Sequence, residues 1–345
     1  MTTGKKRALA IGAGILVVAG GAFFLLRNNV EDIPVLGHVL SKPKCPLTGV
    51  EPKDEKILKR PALGVKIENN PSAYPLSGLQ YADVVYEEQV EGGLTRFMAI
   101  FHCSDATIAG PVRSSREVDP AILAPYTRIL AAAGGNPGVR ANLEKFDVVL
   151  LDENTSGDAM ERRARTGYSS EHTLYGNTKA LRALGRKKYK TPPSDDIFTF
   201  GDLEGTGKKT STVSLDFGNS SISFSYKRGR WYRSDGDSPL TMENGPQLSF
   251  DNVLIERHTV NLSTKFADVL GTPSPYIEDV TGTGEAVLFR DGRMLKGKWV
   301  RESTDDPVHF ETKGGDDLVL KPGRTMIELL PDDKGEVTGS FVRSK

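Results

Sequence analysis

The pattern of apolar and polar positions changes twice along the chain. Residues 8–26 are uncharged and mostly apolar, whereas residues 28–60 mix prolines, glycines and charges without a sustained apolar period. From Pro61 onward, short apolar and β-branched runs alternate with turn residues, which is typical of strands. The pattern therefore predicts an apolar N-terminal segment, a tether over residues 28–60 and a folded body.

The first part of the body predicts a mixed sheet with short helices. Capping and turn signals introduce candidate helices at 120–127, 138–145 and 177–184. We therefore expect an α/β (α+β) first domain with a mixed sheet over residues 61–190. Five apolar runs are its predicted strands: ALGVKI, ADVVYE, LTRFMAIF, RILAAAG and FDVVLLDE.

Residues 211–345 predict hairpins and therefore a β-rich second domain. An Asp-Gly pair separates AVLFR from MLKGKWV, and this pair between alternating runs is a strong hairpin signal. TVSLDF, SISFSYK and RWYRS follow the same plan, and LVLKPGRTMIELLP predicts a strand, a Pro-Gly turn and a further strand. Residues 191–210 carry prolines, glycines and charges, so they predict a linker.

The N-terminal apolar segment predicts attachment to the cell membrane. A run of this length nearly spans a bilayer. Basic residues at 5–7 precede it and only Arg27 closes it, which favours a cytoplasmic N-terminus and an extracytoplasmic body. Residues 1–27 are thus predicted as a cytoplasmic tip and a single transmembrane helix, with residues 8–26 in the membrane. A cleaved signal peptide is the alternative.

Charge and cysteine content narrow the function classes. Lys and Arg number 45, as do Asp and Glu, so no overall electrostatic field directs the protein to nucleic acid.

Cys45 and Cys103 are the only cysteines. They either form a disulfide or remain two unrelated thiols, and the sequence leaves both alternatives open. His102 precedes Cys103 and points to the opposite strand face, so we expect no metal site, and no cofactor motif is visible.

The strongest chemical signal lies in the segment from Glu91 to Arg116. Alternation along the strand LTRFMAIF places Arg96 on the same face as Met98 and Ile100. A guanidinium group on a largely apolar face requires a partner. The sequence therefore predicts either a bound anion or an internal ion pair at Arg96.

Two more arginines, Arg113 and Arg116, follow in the loop after this strand. Ser114 and Glu117 fit a capping box, which predicts a helical turn whose free N–H groups favour an anion. We therefore expect Arg96, Arg113, Ser114 and Arg116 to bind a phosphate or carboxylate group. The alternative is internal pairing with the acidic neighbours Glu87, Glu88, Glu91 and Asp119.

Three side chains are candidate catalytic groups. His172 lies in the polar segment RTGYSSEHTLYGN, where a histidine can act as a general base. Glu88 and Glu91, which precede the strand that carries Arg96, are candidate bases. No GxSxG elbow is present, so the sequence does not indicate a serine hydrolase triad. A structural, hydrogen-bonding role is the alternative for His172.

Long stretches of both predicted domains resemble the YerB-like putative lipoprotein family, a two-domain bacterial family of unknown function. Its N-x-P, A-D-x-V-Y-E, E-G-G-x-T-R and G-P-V-R-S-x-R elements correspond here to 69–71, 82–87, 91–96 and 110–116. The similarity covers roughly residues 61–190 and 210–332, including WYRSDGDSPLTMENGPQLSFDNVLIER. Two departures are the absent lipoprotein cysteine and Glu171, where the family more often has proline before the histidine.

The resemblance implies an α/β first domain and a β-rich second domain on the outer face of the membrane, but no reaction. We favour a protein that binds an anionic cell-wall polymer, a lipid head group or an envelope protein through its arginine loop. The alternative is an envelope hydrolase or transferase acting on a phosphorylated or glycan substrate. That alternative requires a nucleophile or a metal set, and no motif for either is visible. Scaffolding of other membrane proteins is a third hypothesis.

Overall fold

The computed structural model describes residues 42–203 and 207–345. Within them the α-helices are short: α1 is Asp119–Leu123, α2 is Pro137–Lys145 and α3 is Thr178–Gly185. All three confirm the predicted helices to within a few residues. The 3₁₀ turns are Glu55–Lys59, Pro71–Ala73, Leu79–Tyr81, Glu91–Gly93, Gly157–Ala159 and Ser170–His172.

Strands dominate residues 61–190, and the five predicted runs are confirmed as β1 to β5. The strands are β1 Leu63–Asn69, β2 Val84–Gln89, β3 Thr95–Phe101, β4 Ile129–Ala131, β5 Val149–Leu151, β6 Met160–Arg162 and β7 Leu174–Gly176.

The remaining strands confirm the hairpin pattern. They are β8 Lys208–Lys209, β9 Thr212–Asp216, β10 Ser221–Lys227, β11 Arg230–Asp235, β12 Ser238–Pro239, β13 Ser249–Phe250, β14 Asn252–His258, β15 Val260–Ala267, β16 Pro273–Ile277, β17 Gly282–Arg290, β18 Arg293–Arg301, β19 His309–Thr312, β20 Thr325–Pro331 and β21 Ser340–Ser344.

One mixed sheet runs through both halves of the chain. Its order is β19-β18-β17-β14-β20-β2-β3-β1-β4-β5, with β8 beside β18. Strand β20 lies parallel to both β14 and β2, so a late strand joins the two halves. A smaller sheet has the order β12-β11-β10-β9-β21, with β13 beside β11, while β15–β16 and β6–β7 form separate hairpins.

The central sheet is buried on both faces, which explains why β3 is apolar on both sides. Phe97 belongs to one core cluster, together with Trp231 from the smaller sheet. Met98 and Ile100 belong to a second cluster on the opposite face. This assignment confirms the alternation that places Arg96 with Met98 and Ile100.

Two fold predictions need correction. The predicted fold included a single transmembrane helix, but no helix of residues 42–203 and 207–345 is long and apolar enough to cross a membrane. The stretch 8–26, to which that helix was assigned, lies outside the described residues. The segment LVLKPG also does not form a regular strand, because only Leu320 pairs there, through a single bridge to Phe200.

The disulfide left open by the sequence is present between Cys45 and Cys103. Cys45 and the nearby Leu47 are both buried. The bond therefore ties the chain ahead of β1 to the end of β3.

Candidate functional site

Three arginines converge beside the end of the central sheet. Arg96 lies on β3, where Glu68 of β1 and Glu88 of β2 are its register partners. Arg113 lies in the following loop, whose backbone is tied to β1 because the Arg113 N–H donates to the Lys66 carbonyl oxygen over 3.0 Å. Backbone hydrogen bonds thus hold the loop next to the strand that carries Arg96.

A glycine begins this loop because the space allows nothing larger. Gly110 has φ +150°, a conformation that side chains disfavour, and a Cβ there would lie 2.9 Å from the Leu174 carbonyl oxygen. The same loop is bonded to Ser77 and to Glu68 through backbone groups of Gly110 and Pro111. The G-P-V-R-S-x-R element therefore places its arginines through close backbone packing.

Arg96 is buried without a carboxylate partner among the described residues. Its only hydrogen bond there is a long one, 3.4 Å, from Nη1 to the Ser114 carbonyl oxygen, and its Nε has no acceptor. Burial, followed by repulsion from Arg116 and Arg113, lowers the pKa of Arg96 from its ordinary value to about 9. The folded protein thus holds this cation in an environment that disfavours its charge.

The other two arginines each have one acidic partner. Arg113 Nε lies 3.2 Å from Glu68, and Arg116 Nη2 donates to Glu91. Ser274, from the start of β16, donates to the other oxygen of Glu91 over 2.6 Å. Burial opposes the charge of Glu91, but Arg116 and Ser274 lower the pKa of this carboxyl below its ordinary value.

An open cavity of about 700 Å³ lies against these side chains, and we call it the arginine cavity. One wall comes from the arginine loop, a second from the start of α2 and a third from the β15–β16 hairpin. Its volume falls within the range of ligand-binding clefts. Its lining includes Glu91, Arg96, Arg113, Ser114, Arg116, Asn136, Glu171, Asp268 and Ser274.

The predicted capping box is wrong, although Ser114 does line the cavity. The Ser114 hydroxyl donates to the Ala133 carbonyl oxygen over 3.1 Å, and the helix begins only at Asp119. Asp119 itself accepts from the Arg116 backbone N–H over 2.7 Å. A tertiary contact with the segment that follows β4 therefore replaces the local cap.

Glu88 points into a separate, buried ion cluster rather than into the arginine cavity. Lys66 Nζ donates to Glu88 and, over 2.8 Å, to Asp119. Burial raises the pKa of Glu88 to about 7, with Lys66 opposing and Asp119 adding to that rise. Among the three candidate catalytic groups, only Glu91 lines the cavity, and it already pairs with Arg116.

His172 is held between two side chains that the sequence pattern did not indicate. Its Nδ1 lies 2.7 Å from Glu68 Oε2, and its Nε2 lies 3.1 Å from the hydroxyl of Ser72. The tyrosines near it in sequence serve elsewhere; the Tyr168 hydroxyl, for example, donates to the Tyr74 carbonyl oxygen. Ser72 and His172 are a hundred residues apart, so no local motif links them.

In the described ranges, no cluster of histidine, cysteine and acidic side chains is arranged to hold a metal ion. The side chains described at the site present guanidinium, carboxylate, imidazole and hydroxyl groups. Such a set can bind anions and transfer protons.

Two models of one protein family match long stretches of the described chain. Residues 47–191 match the N-terminal domain, and residues 213–327 the C-terminal domain, of the family described as Protein of unknown function (DUF3048). The chain belongs to this family, and the predicted YerB-like resemblance is confirmed.

Comparison with individual proteins agrees with this assignment. The chain is 27% identical over 319 residues to "Putative lipoprotein YerB" of Bacillus subtilis (strain 168), covering 90% of this chain and 92% of that protein. The crystal structure of the YerB protein from Bacillus subtilis matches with a TM-score of 0.71 and 25% identity. That match covers 87% of this chain and 100% of the other.

Proposed function

We propose that this protein is a membrane-associated, extracytoplasmic protein that binds an anionic ligand of the cell envelope in the arginine cavity. One observation carries the proposal: Arg96 is buried, lacks a carboxylate partner among the described residues, and lines an open cavity beside two other arginines. Retaining such a cation is costly unless an anion compensates for it.

The pairing of charges at the cavity, rather than its net charge, supports an anion, since Glu91, Glu171 and Asp268 line it together with the three arginines. Glu68 and Glu91 contact Arg113 and Arg116, whereas no carboxylate of the described residues contacts Arg96. Asp268 also lines the cavity, but it accepts hydrogen bonds from the backbone N–H groups of its own turn, at Leu270 and Thr272. A bound phosphate or carboxylate would supply the missing charge-assisted hydrogen bonds, worth about 1.5–3 kcal/mol each.

The source of the anion follows from the proposed location. The relative in Bacillus subtilis carries the name of a lipoprotein, which supports a body at the outer face of the membrane. Cell-wall polymers rich in phosphate or carboxylate groups are abundant there. We therefore favour such a polymer over a small soluble anion.

A pelleting assay tests the proposal. Residues 42–345 would be incubated with purified cell walls that carry teichoic acid and with the same walls after acid extraction of that polymer. We expect retention on the intact walls and at least a tenfold weaker retention by Arg113→Ala and Arg116→Ala. Arg186→Ala is the matched control, because Arg186 is exposed and does not line the cavity.

Equal retention by the two cavity variants and the control would overturn the proposal. Equal retention on extracted walls would redirect it from teichoic acid to the carboxylates of peptidoglycan.

A further inference from the structure

We propose that Ser72, His172 and Glu68 form a nucleophilic triad that acts on acyl esters. The Ser72 hydroxyl lies 3.1 Å from His172 Nε2, and His172 Nδ1 lies 2.7 Å from Glu68 Oε2. The order of contacts is therefore serine hydroxyl, Nε2, Nδ1 and carboxylate. Serine hydrolases with unrelated folds use the same order. Triads of this kind are recognised by geometry rather than by a local motif.

The hydrogen-bond partners determine which nitrogen of His172 acts as base. Ionised Glu68 only accepts hydrogen bonds, so neutral His172 carries its proton on Nδ1 and presents the lone pair of Nε2 to Ser72. Asn70 Oδ1, 2.8 Å from the Ser72 hydroxyl, competes for the same proton. That oxygen also accepts the Ser72 backbone N–H over 3.0 Å, but an amide oxygen is not a base, so His172 is the partner that can remove the hydroxyl proton.

The surrounding contacts hold the two turns together. Ser72 lies in the 3₁₀ turn directly after β1, the strand that carries Glu68. Arg165 Nη1 donates to the carbonyl oxygens of Ala73 and His172, both over 3.0 Å. One guanidinium therefore bridges the serine turn and the histidine turn, which fixes the nucleophile relative to its base.

The exposure of the three side chains suits a nucleophile that must reach a substrate. Ser72 is exposed, whereas His172 and Glu68 are buried. Arg113 Nε lies 3.2 Å from Oε1 of Glu68, the carboxylate oxygen that does not contact His172. Glu68 is accordingly a positioning residue, and Ser72 and His172 are the groups that meet the substrate.

The reaction balances with water as the only co-reactant. Ser72 Oγ attacks the ester carbonyl carbon while His172 Nε2 takes the hydroxyl proton. The C–O bond to the alcohol then breaks, and His172 returns the proton to the departing oxygen. His172 then deprotonates a water molecule, whose oxygen attacks the acyl carbonyl carbon. The bond from that carbon to Ser72 Oγ breaks, Oγ regains the proton from His172, and the acid is released. Because Arg113 also lines the arginine cavity, esters on an anionic polymer are the favoured substrates, and this preference rests on the proposed function.

Labelling with a fluorophosphonate probe tests the triad without knowledge of the substrate. Attack by Ser72 forms an Oγ–P bond and releases fluoride, and mass spectrometry of the tryptic peptides locates the adduct. We expect the label on Ser72, no label in Ser72→Ala, and labelling at least about 100-fold slower in His172→Asn. Ser170→Ala is the control, since Ser170 is an exposed serine in the histidine turn.

A hydrolytic assay with 4-nitrophenyl acetate adds a kinetic readout. We expect an initial burst that Ser72→Ala abolishes. In Glu68→Gln we expect kcat to fall at least tenfold with little change in KM, because an imidazole that is no longer held in the correct orientation is a poorer base. A wild-type protein that is not labelled, or a label that persists in Ser72→Ala, would overturn the triad. Neither result bears on retention by cell walls, which depends on Arg113 and Arg116, so the two proposals can fail separately.

Discussion

Two buried arginines next to the same strands have opposite environments. Arg233 on β11 donates to both oxygens of Glu87 over 2.8 and 3.0 Å and to Asp235 over 2.6 Å. Burial opposes its charge, but Glu87 and Asp235 raise the pKa of Arg233 above its ordinary value. At Arg96 the pKa moves the other way, because burial and two neighbouring arginines act together.

The difference shows that adjacency in the sheet does not make an ion pair. Glu68 and Glu88 are the register partners of Arg96, yet Glu68 binds His172 and Arg113, and Glu88 binds Lys66. Both carboxylates adjacent to Arg96 are thus used by other cations. Arg233 is a structural arginine, whereas Arg96 is suited to an external anion.

Removal of the structural arginine should have the largest effect. Arg233→Met leaves Glu87 buried with only Asn69 and Thr95 as hydrogen-bond partners and with Glu328 beside it in the sheet. We expect the free energy of unfolding to fall by about 3–5 kcal/mol, measured by urea denaturation. Arg186→Met should leave it unchanged, and a loss below about 1 kcal/mol would mean that Arg233 is not structural in this sense.

The same substitution at Arg96 should affect binding instead. Arg96→Met removes a buried charge that has no carboxylate partner in the described structure, so the free energy of unfolding should change by less than about 1 kcal/mol or increase. Affinity for inorganic phosphate, measured by isothermal titration, should fall at least tenfold. Destabilisation as large as that of Arg233→Met, with phosphate binding intact, would reverse the roles assigned to the two arginines.

Local features of the fold could be predicted, because each depends on residues close in sequence. The strand alternation around Arg96, the Asp291–Gly292 hairpin and the three helices all follow from short-range patterns. The parallel pairing of β20 with β2 joins segments more than two hundred residues apart. No periodicity in one chain encodes such a pairing.

The candidate site, like the fold, could be predicted only where it depends on residues close in sequence. The loop arginines follow from the sequence, but Glu68, Ser72 and Arg233 acquire their roles through distant partners. Ser114 illustrates the converse error: its local pattern fits a helix cap, while a tertiary carbonyl group at Ala133 captures its hydroxyl. A carboxylate within an apolar strand, such as Glu68, is the one signal that could have drawn attention to the histidine site.

The buried ion cluster of Lys66, Glu88 and Asp119 is intermediate between the paired Arg233 and the unpaired Arg96. Its contribution to the free energy of unfolding should depend on pH. The pKa of Glu88 is raised from 4.5 to about 7, chiefly by burial. As the pH rises, the Glu88 carboxyl therefore stays protonated in the folded state after it has lost its proton in the unfolded state. The Glu88 contribution to the free energy of unfolding therefore declines as the pH rises from about 4.5 to about 7. Glu88→Gln should flatten that part of the profile, measured by urea denaturation at half-unit pH steps. An unchanged slope would show that Lys66 keeps Glu88 ionised throughout.

The smallest expected effect comes from removing the carboxylate partner of Arg116, which leaves it unpaired like Arg96. Glu91→Gln removes the acidic partner of Arg116, while the side-chain oxygen of glutamine can still accept from Ser274. Phosphate affinity should rise two- to fivefold, because a second guanidinium becomes available to the anion.

Stability should respond to the same substitution in the opposite direction. The pKa of Glu91 is lowered on folding, so its ion pair stabilises the protein above its unfolded pKa and ceases to do so as the pH falls through the folded pKa. Glu91→Gln should therefore cost less than about 1 kcal/mol at pH 7, and the difference from wild type should vanish in acid. If phosphate affinity falls instead, Glu91 orients Arg116 for the ligand, and the contrast between paired and unpaired arginines would then not determine anion binding.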